Sequence, residues 1–292
     1  MEKVIVTGAL GQFGGELCRQ LDTGAVPFDV DTLDLTDGRN VTQTLLALKP
    51  DAVINCAAYT GVDQAQSQPA RCRAVNVRGV EHLAAVCDAL DCPLVQISSD
   101  YVFGAGEDRD TPYREDEPPS PHGVYAQSKY DGELAAARHA KHLIVRTCGL
   151  YARPGDTAAR NFVKTLLRFA RRQRELKVVG DQRCTPSYVP HVARAVLFLL
   201  GVGWAEPAPW GIYHVTNGGS ATWYEFAREI FRLAKSEVVV EEISTEEYGA
   251  AAPRPAYSVL DTTAYHSLGG PAMPTWKEAL EEYFDQLSST GR

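Results

Sequence analysis

The first half of the chain alternates short, continuous apolar runs with longer stretches in which apolar residues return every three or four positions. Runs at 4–7, 26–30, 52–56, 94–98 and 143–147 read as buried strands. Between them the period changes to that of a helix. Residues 11–21 put Phe13, Leu17 and Leu21 on one face, and GVEHLAAVCDAL at 79–90 does the same with Val80, Leu83, Ala84, Cys87 and Leu90. Strands separated by helices need right-handed crossovers, which build a parallel sheet covered on both faces. The pattern predicts an α/β fold, a Rossmann-type doubly wound parallel sheet, over residues 1–150.

Beyond 150 the punctuation changes. YARPGDTAARNF and GVGWAEPAPWG read as loops rich in glycine and proline. Around them the pattern predicts a helix from about Asn161, strands at 176–179 and 212–215, and helices at 189–200, 223–234 and 276–287. Residues 151–292 are therefore expected to form a smaller interwoven C-terminal lobe that binds substrate and returns some elements to the sheet.

Composition narrows the function. With 292 residues, 45% of them hydrophobic, the chain can bury a large core. A charged pair and a strand follow Met1 almost at once and no apolar run approaches bilayer length, so a cytoplasmic, membrane-free protein is expected. The net charge of -8 argues against nucleic acid as a partner. Seven cysteines, an odd set without a CxxC pair, read as small buried hydrophobes. The histidines show no metal-ligand spacing, so no metal is expected.

Candidate chemistry begins in VTGALGQFGG. Gly8, Gly11 and Gly14 fall on a strand-to-helix turn, where a dinucleotide pyrophosphate can rest on the free N–H groups of a helix. The same spacing also serves a tight turn with close helix-to-sheet packing and no ligand. Farther on, YAQSK places Tyr125 and Lys129 one helical turn apart with their polar tips together. The run QISSDYVFG ends a strand in Ser98, Ser99, Asp100 and Tyr101, and NCAAYTGVD ends another in small residues Ala57 and Ala58. In open α/β sheets that carboxyl edge binds ligands. Turn, hydroxyl-rich edge and Tyr/Lys pair occur in the order needed to surround one nicotinamide.

These stretches, with PDAVINCAAYTGVDQAQSQP, AVNVRG, ISSDYVFGAG, PSPHGVYAQSKYDGE, LIVRTCGLY, VVGDQRCTPSYV, GIYHVTNGG and RPAYSVLDTTAY, cover nearly the whole chain. The chain resembles the dTDP-4-dehydrorhamnose reductases, within the extended short-chain dehydrogenase/reductase superfamily. The resemblance implies reduction by NADPH or NADH of the 4-keto group of dTDP-4-dehydro-6-deoxy-L-mannose, in nucleotide-sugar and polysaccharide biosynthesis. It implies a dTDP-sugar as partner and a possible homodimer. Tyr125 would be the proton donor, Lys129 would lower its pKa and hold the ribose, and Ser99 would hydrogen-bond the substrate carbonyl.

The resemblance also assigns Gly8, Gly11, Gln12, Phe13, Gly14, Asp34, Leu35, Ala57, Ala58 and Thr60, with Tyr125 and Lys129, to the cofactor. Val62, Ser99, Asp100, Tyr101, Tyr125 and Arg254 go to the substrate, Arg254 facing its diphosphate. Lys164, Arg168, Arg171, Arg172 and Arg174 could assist or form a solvated face, and Trp223 and Trp276 are expected in the core. Asn76 either supports the Lys129 region or caps a helix. Near the second strand, Asp29, Asp31 and Arg39 leave NADH and NADPH open. RTCG stands where several members have RTSW, so Gly149 replaces a tryptophan expected beside the sugar. That keeps two alternatives open, a different nucleotide-4-keto-6-deoxyhexose and a cofactor-binding regulatory subunit without turnover.

Overall fold

A computed structural model describes residues 2–104, 109–155, 161–203 and 208–290. Parts of both expected loops, 156–160 and 204–207, lie outside the described residues. The first elements are β1 (Val4–Thr7), α1 (Gln12–Leu21), β2 (Ala25–Phe28), α2 (Gly38–Leu48), β3 (Ala52–Asn55), α3 (Val62–Ser67) and α4 (Pro69–Arg73). After a π-helical turn at Ala74–Arg78 come α5 (Gly79–Leu90), β4 (Leu94–Ile97), α6 (Val124–Ala136), β5 (His142–Arg146) and β6 (Leu150–Tyr151). The chain continues through α7 (Phe162–Ala170), β7 (Glu175–Val179), β8 (Arg183–Cys184), β9 (Ser187–Tyr188), α8 (Val189–Val202) and β10 (Gly211–His214). It ends in β11 (Ala221–Thr222), α9 (Trp223–Leu233), β12 (Val239–Ile243), α10 (Thr245–Tyr248), α11 (Thr263–Ser267) and α12 (Trp276–Thr290).

Six parallel strands form the central sheet in the order β2-β1-β3-β4-β5-β10. The inner strands β1, β3 and β4 are mostly apolar and buried on both faces, whereas β2 at the edge is partly exposed. Val4 and Val6 pack with Phe13 and Leu17 of α1 and with Val192, Val196 and Leu199 of α8. Ile5, one residue out of phase, packs on the other side with Val53, Leu45 of α2 and Leu83 of α5. The chain reverses direction across the sheet between β1 and β3, which opens a crevice at their carboxyl ends.

A second core gathers Tyr151, Tyr188, Phe226, Trp276 and Tyr283, with Trp223 packed at its margin against Phe162 at 4.8 Å. Both tryptophans thus serve packing. Helix α6 carries no apolar stripe, because polar Ser128, Lys129 and Glu133 are buried along it. All seven cysteines are free thiols, five of them buried.

Candidate active site

The opening glycines are explained by two close backbone approaches. Gly8 follows β1 at φ +65°, and a Cβ there would lie 2.7 Å from the Ala57 amide nitrogen after β3. A Cβ on Gly14 would lie 2.3 Å from the Gly8 carbonyl oxygen. Turn, helix α1 and the β3 exit are therefore locked together without side chains. Gly11 is the N-cap of α1 and makes no side-chain cap, so the first-turn N–H groups of Gln12, Phe13 and Gly14 have no intrahelical acceptor. They point into the crevice with the positive end of the helix dipole.

A cavity of about 720 Å³ starts there and runs to α6. All twelve residues assigned to the cofactor line it: Gly8, Gly11, Gln12, Phe13, Gly14, Asp34, Leu35, Ala57, Ala58, Thr60, Tyr125 and Lys129. Sequence reasoning missed Arg71, Val75, Leu33 and Tyr59, which also line it. Arg71 lies on α4, five residues long and too short to show a period. Asp29 lines the wall too, but its carboxylate accepts the Leu10 and Val30 amides at 2.9 and 2.8 Å and so braces the glycine turn. Arg39 is exposed and outside the lining.

Lys129 is 5% exposed and donates to the Ile97 carbonyl at 2.7 Å. Burial lowers its pKa to about 8, against the pull of Glu133 one turn farther along α6. Glu133 is itself bound by Arg146, Nε at 2.9 Å and Nη2 at 2.7 Å, and accepts the Ser98 hydroxyl at 2.5 Å. Arg146 reaches His214 Nε2 at 3.4 Å, and burial together with Arg146 holds that imidazole down at about 3. This buried network fixes the stem of α6. Its members lie in separate matching stretches, Ser98 in QISSDYVFG, Glu133 in PSPHGVYAQSKYDGE, Arg146 in LIVRTCGLY and His214 in GIYHVTNGG, and nothing in the sequence joined them.

Tyr125 differs from the expectation. Burial, the largest cause, pushes its phenol above the ordinary value; the Asp100 charge adds to this, and a hydrogen bond with Ser99 opposes it. Lys129 turns its ammonium to Ile97 instead, so the lowering expected from one helical turn away is not the arrangement found. Tyr101 stands edge-on to Tyr125, ring centroids 5.5 Å apart. Asn76 is no cap: it lies in the π-helical turn, accepts the Tyr59 amide at 2.8 Å and donates to Ser128 beside Lys129 at 2.9 Å. π-turns of this kind recur at functional sites.

Other residues assigned to the substrate stand apart from the cavity lining. Val62 begins α3. Arg254 makes a bidentate pair with Asp63, 2.9 and 2.7 Å, and so pins the 252–254 segment onto α3. Gly149 is in the left-handed region at φ +54°, and a Cβ would meet Pro186 Cα at 3.0 Å. A tryptophan on this backbone would be strained. Arg168, Arg171, Arg172 and Arg174 are exposed, and neither they nor Lys164 line the cavity. Among the described residues, no cluster of three His, Cys, Asp or Glu could hold a metal, and no helix is long and apolar enough to cross a membrane.

Comparison with known proteins decides the family. The family described as RmlD substrate binding domain matches residues 1–289. The chain belongs to this family. It is 38% identical to the dTDP-4-dehydrorhamnose reductase of Streptomyces griseus, covering 97% of this chain and 93% of that one. It is 36% identical to a probable dTDP-4,6-dihydroxy-2-methyloxan-3-one 4-ketoreductase of Streptomyces antibioticus, covering 97% and 95%. Among solved structures, a dTDP-4-dehydrorhamnose reductase from Bacillus anthracis in complex with NADP superposes with TM-score 0.91 at 39% identity, over 98% and 99% of the two chains. This RmlD-type chain thus shares fold and sequence with its reductase relatives from end to end.

Proposed function

We infer that the protein is a reductase that converts dTDP-4-dehydrorhamnose to dTDP-L-rhamnose with NADPH or NADH. One observation carries the reading: a single cavity joins the glycine turn to the Tyr125/Lys129 pair. The residues fit a nicotinamide dinucleotide, since the first-turn N–H groups of Gln12, Phe13 and Gly14 have no intrahelical acceptor and these residues line the cavity, which is what a pyrophosphate needs. When bound, the dinucleotide supplies hydride. Gly8, Gly11 and Gly14 would hold its phosphates, Asp34 and Leu35 its adenosine end, and Ala57, Ala58 and Thr60 the far side. Lys129 would orient the ribose. Tyr125 would give the proton that the reduced carbonyl oxygen takes up, and Ser99 would hydrogen-bond that carbonyl. Arg254 would face the diphosphate of the sugar nucleotide and Tyr101 its sugar, and the work belongs in the cytoplasm.

The test is absorbance of the reduced nicotinamide after addition of dTDP-4-dehydrorhamnose to wild type and Tyr125→Phe. Wild type should turn over, and the variant should lose about 100-fold to 10,000-fold in kcat while binding dinucleotide normally. No oxidation by wild type would overturn the reading in favour of a binding subunit. The Streptomyces antibioticus relative favours a second reading, another dTDP-linked 4-keto sugar as substrate. Comparing kcat/KM across 4-keto sugars chooses between them.

A further inference from the structure

The turn after β2 forms one end of the cavity, where Asp29, Val30, Leu33 and Asp34 line it. Its sequence, DVDTLDLTDG at 29–38, holds four aspartates and no lysine or arginine. The turn is tied down by its own first residue. The Asp29 amide donates to Thr32 Oγ1 at 2.9 Å, and the Asp29 carbonyl accepts the Thr32 and Leu33 amides at 2.9 and 2.7 Å. Val30 is left at the tip, 64% exposed.

A carboxylate offers about four lone-pair positions. In Asp29 one on each oxygen is taken, Oδ2 by the Leu10 amide and Oδ1 by the Val30 amide, so the group is pinned against the glycine turn and can still accept. Asp34 differs, because its Oδ1 already accepts both the amide and the hydroxyl of Thr36 at 2.8 Å. Nothing basic offsets the charge at this end. Among the described residues, the basic ones lining the cavity are Lys129, buried on Ile97 at the far end, and Arg71, on α4 after β3. In the sheet, β1 lies between β3 and β2.

NADH and NADPH differ at one place, the 2′ position of the adenosine ribose. A hydroxyl there can donate to an acid that follows the second strand. A phosphate monoester has no such proton to spare and carries about -1.5 to -2 charges near neutral pH. Resting on the reductase reading above, we propose that Asp29 is a specificity-determining residue that makes NADH the preferred reductant: its open lone pairs take the ribose 2′-hydroxyl, and its charge, beside a valine that offers no hydrogen bond, turns away the 2′-phosphate of NADPH.

The experiment is fluorescence titration of wild type, Asp29→Asn, Val30→Arg and Arg71→Ala with NADH and with NADPH, without sugar. Wild type should bind NADH about 10-fold to 100-fold more tightly, since like charges placed together oppose binding, and AMP should displace it better than adenosine 2′,5′-bisphosphate. In Asp29→Asn the preference should fall below about 3-fold. Asparagine keeps one acceptor oxygen where aspartate has two, so this variant also loosens the glycine turn. Val30→Arg leaves Asp29 in place and puts a cation at the exposed tip, and it should raise NADPH affinity about tenfold. Arg71→Ala should leave the ratio of the two affinities as in wild type. Equal or tighter binding of NADPH by wild type, an unchanged ratio in Asp29→Asn or Val30→Arg, or a loss of NADPH affinity alone in Arg71→Ala would each overturn the proposal. Turnover is measured alongside, so the two readings fail differently. A wild type that selects NADH but oxidises none with the sugar present refutes the reductase reading alone, and an active wild type without preference refutes this one alone.

Discussion

Replacing Lys129 with methionine should abolish turnover and stabilise the fold. A lysine with an ordinary value of 10.5 is held at about 8 by burial, so near neutral pH it is charged at a cost. The difference, about 2.5 units at 1.36 kcal/mol each, makes that cost about 3 kcal/mol at pH 7. Little is lost in exchange. Glu133 keeps its bidentate Arg146 partner, and the Ile97 carbonyl keeps the Gln96 amide at 2.8 Å. Methionine matches the length of the stem and fits irregular space. The sign follows from linkage: between about pH 8 and 10.5 the unfolded lysine binds more protons than the folded one, so wild-type stability rises with pH there. The advantage of the variant should therefore shrink from about 3 kcal/mol at pH 7 to about 1 kcal/mol at pH 9.5. Urea denaturation of both proteins without dinucleotide, at each pH, measures it. A variant less stable than wild type at pH 7, or a gap that ignores pH, would refute the reasoning.

Gly14→Ala puts a Cβ 2.3 Å from a backbone oxygen that cannot rotate away, so α1 must shift; NADPH and NADH titrations should show affinity falling at least about tenfold. A folded variant that bound both normally would make the turn merely structural. Glu133→Gln leaves Arg146, 1% exposed, facing an uncharged amide, and should lower the unfolding free energy by about 3–5 kcal/mol; a change under about 1 kcal/mol would count against the network. Arg254→Ala should cost under about 1 kcal/mol of stability, its partner Asp63 being half exposed, yet raise KM for the sugar nucleotide and leave dinucleotide affinity intact. Steady-state kinetics with each substrate varied in turn separates those effects.

Much of this was written locally in the chain. The run VIVT is a strand buried on both faces in any parallel sheet, and the expected limits of β1 and α5 agree with the structure residue for residue. The expected β2 extended to Val30, whereas the strand stops at Phe28, because Asp29 turns back to hold Leu10 and Val30. The glycine spacing and the Tyr125/Lys129 pair were legible because each depends on neighbours within one turn or one helix. Periodicity could not reveal α6, whose buried face is polar, or α4 and the π-helical turn, which are too short.

What tertiary structure decided were the partners. Asp100 stands beside Ser99 in sequence, but Cys148 and Ser258, which take its other oxygen, come from 48 and 158 positions away. Glu133 finds Arg146 across the sheet end, and Arg254 finds Asp63 over a separation of 191. A side chain's type states what it can donate or accept; its charge state and direction depend on which distant groups share its burial. The sequence by itself therefore determined most of the elements, the glycine turn and the spacing of Tyr125 and Lys129. That Lys129 reaches the Ile97 carbonyl, and that Asp100 is held by Ser99, Cys148 and Ser258, became visible only when the fold removed water and supplied the neighbours.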